Sequence, residues 1–183
     1  MDTSRIWTYD DLVRLPDDGK RHEILDGDLV VSPSPTRAHQ LTVGRLFLLL
    51  KQRLYERRMA HVFVAPFDAI LSQQRVVVPD LMVIRREREA IVHERGVEGP
   101  PDLAIEVMSA RPSIDRVRKF RIYAKAGVAE YWLVDPIGRT IEVYLLDDGT
   151  YHLVGYYGRG EVVESALFDV SITIDEAFEQ FPG

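Results

Sequence analysis

Two acidic residues interrupt strongly apolar segments in the middle of the chain, and they constrain its fold more than any other feature. Asp80 follows a proline at the end of Val76–Val78, and Glu106 lies inside the apolar run Leu103–Met108. A carboxylate that is desolvated without a partner costs several kcal/mol, so each acid needs a counter-ion, hydrogen bonds or a metal. The fold must bring such a partner to both.

Composition predicts one domain without cysteine chemistry. At 183 residues, with 46% hydrophobic and 28% charged residues, the chain can bury one core and is short for two ordinary domains. We therefore predict a single domain over 1–183, with its core at about 38–136. The absence of cysteine excludes disulfides, thiolate metal sites and a cysteine nucleophile. A metal would bind oxygen or imidazole ligands, which favours Mg²⁺ or Mn²⁺.

Hydropathy and charge indicate where the protein is located and which partners it could bind. No apolar run reaches the roughly 18 residues that a membrane span needs, and no signal-type segment follows Met1, so we expect a cytoplasmic protein without membrane contact. The net charge of −6 argues against a protein that coats nucleic acid through bulk electrostatics. Residues 111–125 nevertheless carry six basic side chains against one acid, although such clusters are more often solvated helix faces.

Hydrophobic periodicity predicts an α/β fold with a mixed central sheet. The order is a helix, three strands, a helix and a strand, at about 38–58, 62–71, 76–84, 103–108, 113–127 and 130–134. Because a helix joins the last two strands, these should run parallel, whereas the earlier strands follow short turns. An N-terminal helix and an Asp-Gly hairpin precede this core, a β-hairpin at 140–157 follows it, and 85–99 is expected to be a surface connection.

A metal site is predicted where the strands of Asp80 and Glu106 would meet. If these strands pair, the two carboxylates lie together at one edge of the sheet, and the backbone carbonyl of Val107 is a further candidate ligand. Mg²⁺ commonly binds one or two carboxylates, with waters and substrate phosphate completing its coordination. Such a metal polarises a scissile phosphate and lowers the pKa of an attacking water. Mn²⁺ is the alternative cation.

Lys119 is the candidate cation for the same site. It follows Glu106 by 13 residues, on a helix that begins where the strand of Glu106 ends. An ammonium there could orient the attacking water and stabilise charge that develops on the phosphate. Judged by local sequence alone, however, an exposed ion pair with Asp115 at i, i+4 is the commoner outcome.

Glu23 and His39 are weaker candidates. Glu23 precedes the Asp-Gly hairpin and could be a third catalytic carboxylate, but an exposed strand acid beside Arg21 or His22 is at least as common. His39 lies near the start of the long helix, where a histidine is more often solvated than catalytic. It is a candidate for contacting phosphate or supporting the site.

Three further residues could contact phosphate or support the site. Tyr123 lies four residues after Lys119 and so shares its helix face, although a core tyrosine with a wet hydroxyl is the more common outcome. Arg116 and Arg118 lie on the basic segment that leads into the same helix. Their candidacy depends on that segment facing the carboxylates.

Several short motifs follow one another in a specific order along most of the chain. They are Glu23–Val30, Ser34-Pro35 with His39, Pro79-Asp80-Leu81, Pro101–Ser109, Asp115 with Lys119 and Tyr123, and Ala126–Pro136. Each is weak alone, but in this order and spacing the sequence resembles the Uma-two family of restriction-endonuclease-like proteins, a branch of the PD-(D/E)XK nuclease superfamily.

The resemblance implies a fold, a site and a substrate. It implies the αβββαβ core of the superfamily, metal binding by Asp80 and Glu106, and an additional acid at Glu23. The superfamily's lysine stands two residues after the second acid, where this chain has Met108, so Lys119 is implied as its replacement from the following helix. DNA is the implied substrate, and a homodimer or higher homo-oligomer is the implied assembly.

Three functions remain open at this point. The first is a Mg²⁺-dependent endonuclease that hydrolyses DNA phosphodiester bonds. The second is a non-catalytic module of nuclease fold that binds nucleic acid or a protein partner as an oligomer. The third is an oligomeric interaction protein that uses the 140–157 hairpin. The presence of all three polar residues, Asp80, Glu106 and Lys119, favours the first, while the acidic net charge weighs against it.

Overall fold

The chain forms fourteen strands within the residues that the structure, a computed structural model, describes; these are 5–32, 34–108 and 115–179, without the side chains of residues 115 and 116. In chain order the strands are β1 (Arg21–Leu25), β2 (Asp28–Ser32), β3 (Ala60–Val64), β4 (Asp68–Ser72), β5 (Arg75–Val77), β6 (Leu81–Arg85), β7 (Val92–His93), β8 (Gly96–Glu98), β9 (Leu103–Val107), β10 (Glu130–Asp135), β11 (Thr140–Asp147), β12 (Thr150–Tyr157), β13 (Val162–Glu164) and β14 (Ser171–Thr173).

Helices connect and cover these strands. They are α1 (Tyr9–Val13), α2 (Arg37–Leu50), α3 (Phe120–Ala126) and α4 (Ile174–Ala177); a π-helical turn (Lys51–Tyr55) extends α2, another (Asp115–Lys119) leads into α3, and a 3-10 turn spans Arg86–Ile91. The predicted start of the second core helix at residue 113 lies outside the described residues. In the described part of the chain, no helix has the length and apolar character of a membrane span.

Two six-stranded mixed sheets organise the fold. The central sheet has the order β12-β11-β10-β9-β6-β3, and the N-terminal sheet has the order β2-β1-β5-β4-β8-β7. In the central sheet β9 and β10 run parallel and are joined through α3, while the other neighbours are antiparallel. The elements α2, β3, β6, β9, α3 and β10 therefore reproduce the predicted αβββαβ order, and the α/β fold class is confirmed.

The central sheet is buried on both faces. Alternate residues such as Leu81, Ile105 and Trp132 pack with the apolar side of α2, while their neighbours, including Met82 and Ala104, pack with α3 and the N-terminal sheet. Side chains of a strand alternate between faces, so Glu106 shares the face of Ala104. Glu106 therefore points into the layer between the central sheet and α3.

The prediction of one strand at 62–71 and one at 76–84 is wrong, because each segment forms two strands. The first divides into β3 and β4 around Pro66, and the second divides into β5 and β6 around Pro79. A proline has no N–H for the strand ladder, so neither segment can continue through it within one sheet. Instead β3 and β6 belong to the central sheet while β4 and β5 belong to the N-terminal sheet. Asp80 consequently lies where the chain crosses from one sheet to the other.

The segment 85–99 is also more ordered than the predicted surface connection. After the 3-10 turn, β7 and β8 form a short hairpin, and β8 pairs in parallel with β4. Val97, at the middle of β8, is fully buried. Strands of two and three residues are too short to show hydrophobic periodicity, which is why the sequence pattern missed them. The predicted C-terminal hairpin is confirmed as β11 and β12.

Candidate active site

Asp80 and Glu106 lie side by side on neighbouring strands. β6 and β9 are antiparallel with Leu81 opposite Ile105, so the next position along the ladder places Asp80 beside Glu106. The backbone N–H of Val107 donates to Asp80 Oδ2 at 2.9 Å. Both carboxylates are buried, and the pairing of their strands brings them together as the sequence suggested.

Lys119 reaches these acids from the turn before α3. Its Nζ lies 2.9 Å from Glu106 Oε1 and 2.8 Å from Glu23 Oε1, and its side chain is only 1% exposed. An ammonium bridging two buried carboxylates is the opposite of an exposed i, i+4 ion pair. The burial of Lys119 therefore favours the site interpretation over the surface one.

Glu23 is held in the same cluster by the N-terminal sheet. The N–H of Val78 donates to Glu23 Oε1 at 2.7 Å, and the hydroxyl of Ser32 donates to Glu23 Oε2 at 2.9 Å. Ser32 is on β2, paired with β1. Glu23 is 1% exposed, so it is not the exposed strand acid that local sequence also allowed.

Tyr123 contacts the carboxylate of Glu106, and His39 contacts that of Asp80. The hydroxyl of Tyr123, one helical turn after Lys119, donates to Glu106 Oε1 at 2.6 Å. His39 Nε2 lies 3.1 Å from Asp80 Oδ2, and the hydroxyl of Thr36, the N-cap of α2, accepts a hydrogen bond from the His39 backbone N–H. Both side chains are buried, so both contact the acids rather than solvent.

Arg21 is a member of the cluster that sequence reasoning missed. Its Nη1 lies 3.1 Å from Asp80 Oδ1, and its side chain is 27% exposed. Arg21 and Glu23 are two residues apart on β1, so they lie on the same face of the strand. Once Glu23 is assigned to the site, this period-two spacing is the signal that could have found Arg21.

Arg118 contacts a turn rather than the carboxylates. Arg118 Nη2 donates to the Leu25 carbonyl and to Asp28 Oδ2, both at 2.7 Å, and so contacts the β1–β2 turn. The side chain of Arg116 lies outside the described residues. A role for either residue in binding phosphate stays a prediction.

The cations keep the buried acids ionised. Burial opposes ionisation of Glu23, but Lys119, Arg21 and the hydrogen bonds that it accepts hold its pKa below the ordinary 4.5. Burial acts on Asp80 in the same way, but His39, Lys119 and Arg21 hold its pKa below 3.8.

The carboxylates in turn shift the pKa of their neighbours. Burial of Arg21 favours its neutral form, but the charges of Glu23, Asp80 and Glu106 outweigh this and raise its pKa. Burial, followed by the charge of Glu106, raises the pKa of Tyr123 well above 10. The Tyr123 hydroxyl therefore keeps its proton and remains a hydrogen-bond donor to Glu106.

A cleft gives this cluster access to solvent. It has a volume of about 520 Å³ and lies between the β1–β2 hairpin, the start of α2 and the end of β3. Arg21, Glu23, His39 and Asp80 line it, together with apolar side chains such as Val43. A second cavity of about 360 Å³, lined by residues including Arg53 and Phe168, lies apart from these acids.

The carboxylates of Asp80 and Glu106 suit a hard cation that takes only one or two ligands from the protein. Among the described residues, no three His, Asp or Glu side chains are arranged as a metal-binding group. Asp80 and Glu106 on adjacent strands still provide the one or two carboxylates with which Mg²⁺ is commonly bound, the remaining positions being filled by water and substrate phosphate. The residues fit such a cation, although in this structure Lys119, Arg21 and His39 contact the carboxylate oxygens.

The fold is shared with a solved structure. A protein from Anabaena variabilis, described as a putative nuclease belonging to DUF820, matches this chain with a TM-score of 0.78 at 21% sequence identity. The match covers 93% of this chain and 97% of that chain. At this identity the likeness shows the fold alone, so the class defined here is an α/β protein of nuclease fold.

The family follows from the sequence itself. Residues 9–175 match the Uma2 family, which is described as "Putative restriction endonuclease". The chain belongs to this family, and the resemblance drawn from its motifs is confirmed. No curated protein matches the chain.

Proposed function

We propose that the protein is a metal-dependent endonuclease that hydrolyses phosphodiester bonds in DNA. Asp80, Glu106 and the carbonyl of Val107 would hold Mg²⁺, or Mn²⁺ in its place. The observation that carries the proposal is the contact between a buried lysine and two buried acids, with Lys119 Nζ 2.9 Å from Glu106 and 2.8 Å from Glu23. Family membership and the nuclease fold support it.

The chain's own residues can supply most of the machinery for hydrolysis. A bound divalent cation would polarise the scissile phosphate and lower the pKa of the attacking water. Lys119 would orient that water through its ammonium and stabilise charge as the phosphorus–oxygen bond breaks. Tyr123 fixes the orientation of Glu106, while His39 and the Val107 N–H fix Asp80. Such supporting contacts matter because ligand orientation governs metal affinity.

Nicking of supercoiled plasmid DNA in Mg²⁺ tests the proposal. We expect Asp80→Asn and Glu106→Gln each to lower the rate by about 100-fold or more, since a metal ligand is lost. Glu130→Gln is the matched control, because Glu130 is also a buried strand acid but is bonded to Trp132 and Ser165. It should cut as well as the wild type. Equal cutting by all four proteins would remove these acids from the mechanism.

A non-catalytic nucleic-acid-binding module is the second candidate. The observation in its favour is that Arg21, His39 and Lys119 already contact the carboxylates, so the cluster is held together without a metal. Its signature would be DNA binding that weakens with salt, persists in EDTA and leads to no hydrolysis. Mg²⁺-dependent nicking by the wild type would exclude it.

We also propose that the protein acts in the cytoplasm as a homo-oligomer. The edge strand β12 exposes Leu153, Val154 and Tyr156, and an exposed apolar edge is a site at which chains can pair. The purely oligomeric, non-enzymatic function would use the same edge. Sedimentation of the wild type and of Leu153→Lys tests the assembly: a dimer that the substitution dissociates supports it, and a monomeric wild type contradicts it.

A further inference from the structure

Arg21 and Lys119 contact different acids of the cluster and differ in their access to water. Lys119 is 1% exposed and is enclosed between Glu23 and Glu106, whereas Arg21 is 27% exposed and contacts Asp80 through Oδ1. A partly exposed arginine can exchange one anionic partner for another at small cost, because water solvates it on the way. Arg21 is therefore the cation of the pair that can move.

The charges of the cluster show when Arg21 would be released. Among the described residues of this cluster, the three carboxylates carry three negative charges and Lys119 with Arg21 carries two positive ones, which leaves one negative charge when His39 is neutral. A divalent cation together with Lys119 neutralises the three carboxylates completely. Arg21 then has no carboxylate charge left to balance. Its single positive charge can instead balance the single negative charge of a phosphodiester group.

The cleft provides space into which the Arg21 guanidinium can move. Arg21, Asp80 and His39 line the same cavity of about 520 Å³, so the side chain can leave Asp80 without entering the packed core. Gly19, two residues earlier in the chain, has a φ of +70° and no atom within 4 Å of the position that a Cβ would occupy, so the segment that leads into β1 is not tightly packed there. An arginine also binds phosphate in a bidentate manner that suits substrate positioning.

We propose that Arg21 is an exchangeable counter-ion: it holds Asp80 while no metal is bound, yields Asp80 to the metal, and then contacts a phosphate of the nucleic acid. The inference rests on the proposed function, because it needs a divalent cation at Asp80. It makes Arg21 a substrate-positioning residue that links metal loading to phosphate binding. Arg21 and the divalent cation therefore compete for the same carboxylate.

Calorimetric titration of the intact protein with Mn²⁺ alone tests the competition. We expect Arg21→Gln to bind Mn²⁺ about tenfold more tightly than the wild type, because a competing charge-assisted hydrogen bond is gone. Arg88→Gln is the matched control: Arg88 is 34% exposed and pairs with the buried Asp102 at 2.9 Å, after the far end of β6 from Asp80. It should leave Mn²⁺ affinity within about twofold of the wild type. Arg21→Met serves for the same titration if Arg21→Gln does not fold.

Binding of a phosphorothioate DNA duplex, which resists hydrolysis, tests the second half of the exchange. In saturating Mn²⁺ we expect Arg21→Gln to bind this duplex on the order of tenfold more weakly, and Arg21→Lys to recover part of the loss. Mn²⁺ affinity that does not rise in Arg21→Gln, or duplex affinity that does not fall, overturns the inference.

The outcomes separate this inference from the proposed function. If Mn²⁺ binds wild type and Arg21→Gln equally but not Glu106→Gln, the metal site stands and the exchange by Arg21 falls. If Mn²⁺ binds Arg21→Gln but not the wild type, Arg21 does not yield Asp80 to the metal, and the exchange falls. If neither protein binds Mn²⁺, both proposals fall together.

Discussion

At the scale of single residues, the candidate site depends on Lys119, a lysine buried between two acids. Lys119 is enclosed with Glu23 and Glu106, and each of its bonds to them is 2.9 Å or shorter. Removing one partner of a buried charged pair leaves an uncompensated buried charge, which is more costly than the net value of the pair. Lys119 should therefore contribute to stability as well as to catalysis.

Lys119→Met measures that contribution. We expect the free energy of unfolding to fall by about 3–5 kcal/mol, because Glu23 and Glu106 would stay buried without their shared cation. Urea denaturation at pH 7 gives the value. Lys125→Met, on the exposed face of α3, is the control and should change stability by less than about 0.5 kcal/mol. A loss in Lys119→Met as small as that of the control would show that the lysine is not paired in solution.

A second acid, Asp68, should make stability depend on pH in the opposite sense to the paired carboxylates. Burial, followed by the charge of Glu23, raises its pKa from 3.8 to about 6. Between these pH values the folded protein keeps a proton that the unfolded chain has lost, so its contribution to the free energy of unfolding falls as the pH rises.

Asp68→Asn isolates this effect. We expect the substitution to stabilise the protein at pH 7 by about 1 kcal/mol, a value limited by the water that reaches the carboxyl, and to have little effect at about pH 3, where Asp68 is mostly protonated in both the folded and the unfolded chain. Urea midpoints at the two pH values check it. Equal midpoints for both proteins at pH 7 would mean that Asp68 is ionised without penalty in the folded state.

The residues of the site differ in how far sequence could predict them. Asp80 and Glu106 could be predicted because an acid within an apolar strand is itself an anomaly. Lys119 could be placed near them by chain length, but its burial could not, because i, i+4 spacing to Asp115 allows an exposed pair. Arg21 was missed since a basic residue at a strand start is ordinary until the position of Glu23 is known.

At the scale of elements, two prolines decide which strands carry the site. Pro66 and Pro79 divide segments that read as continuous strands, and each division moves the chain between the two sheets. Local hydrophobicity cannot show such a crossing, because the residues on both sides of each proline are equally apolar. The order of elements in the central sheet was predictable, whereas the existence of the N-terminal sheet as a separate layer was not.

The end of α3 offers a test of local structure beside the site. Gly127 terminates this helix at a φ of +87°, with no atom near the position that a Cβ would occupy, so its role is conformational. We expect Gly127→Ala to lower stability by about 1 kcal/mol through left-handed backbone strain. Gly44→Ala, in the middle of α2 with equal space, should instead raise stability by about 0.5–1 kcal/mol. Chemical denaturation gives both values, and the same sign for both would contradict this role.

At the scale of the whole molecule, the site lies between layers that come from distant parts of the chain. Glu23 belongs to the N-terminal sheet, Glu106 to the central sheet, Asp80 to the crossing between the two sheets, and His39 to α2. Their convergence requires the complete fold. A cation that binds Asp80 and Glu106 only when these layers are assembled would stabilise the folded state.

Thermal unfolding with added metal should show this linkage. At 100 times the dissociation constant we expect Mg²⁺ or Mn²⁺ to raise the midpoint of the wild type by roughly 5–10 °C. Glu106→Gln should show little or no increase, and Glu130→Gln should behave as the wild type. An equal increase in all three proteins would place the stabilising cation elsewhere.

A crystal structure of the wild type with Mn²⁺, with the metal located by its anomalous scattering, tests the central proposal most directly. We expect one Mn²⁺ at about 2.1 Å from carboxylate oxygens of both Asp80 and Glu106, with the ammonium of Lys119 beside it. An anomalous peak at other residues, or none at saturating Mn²⁺, would contradict the assignment of these two acids as the metal site.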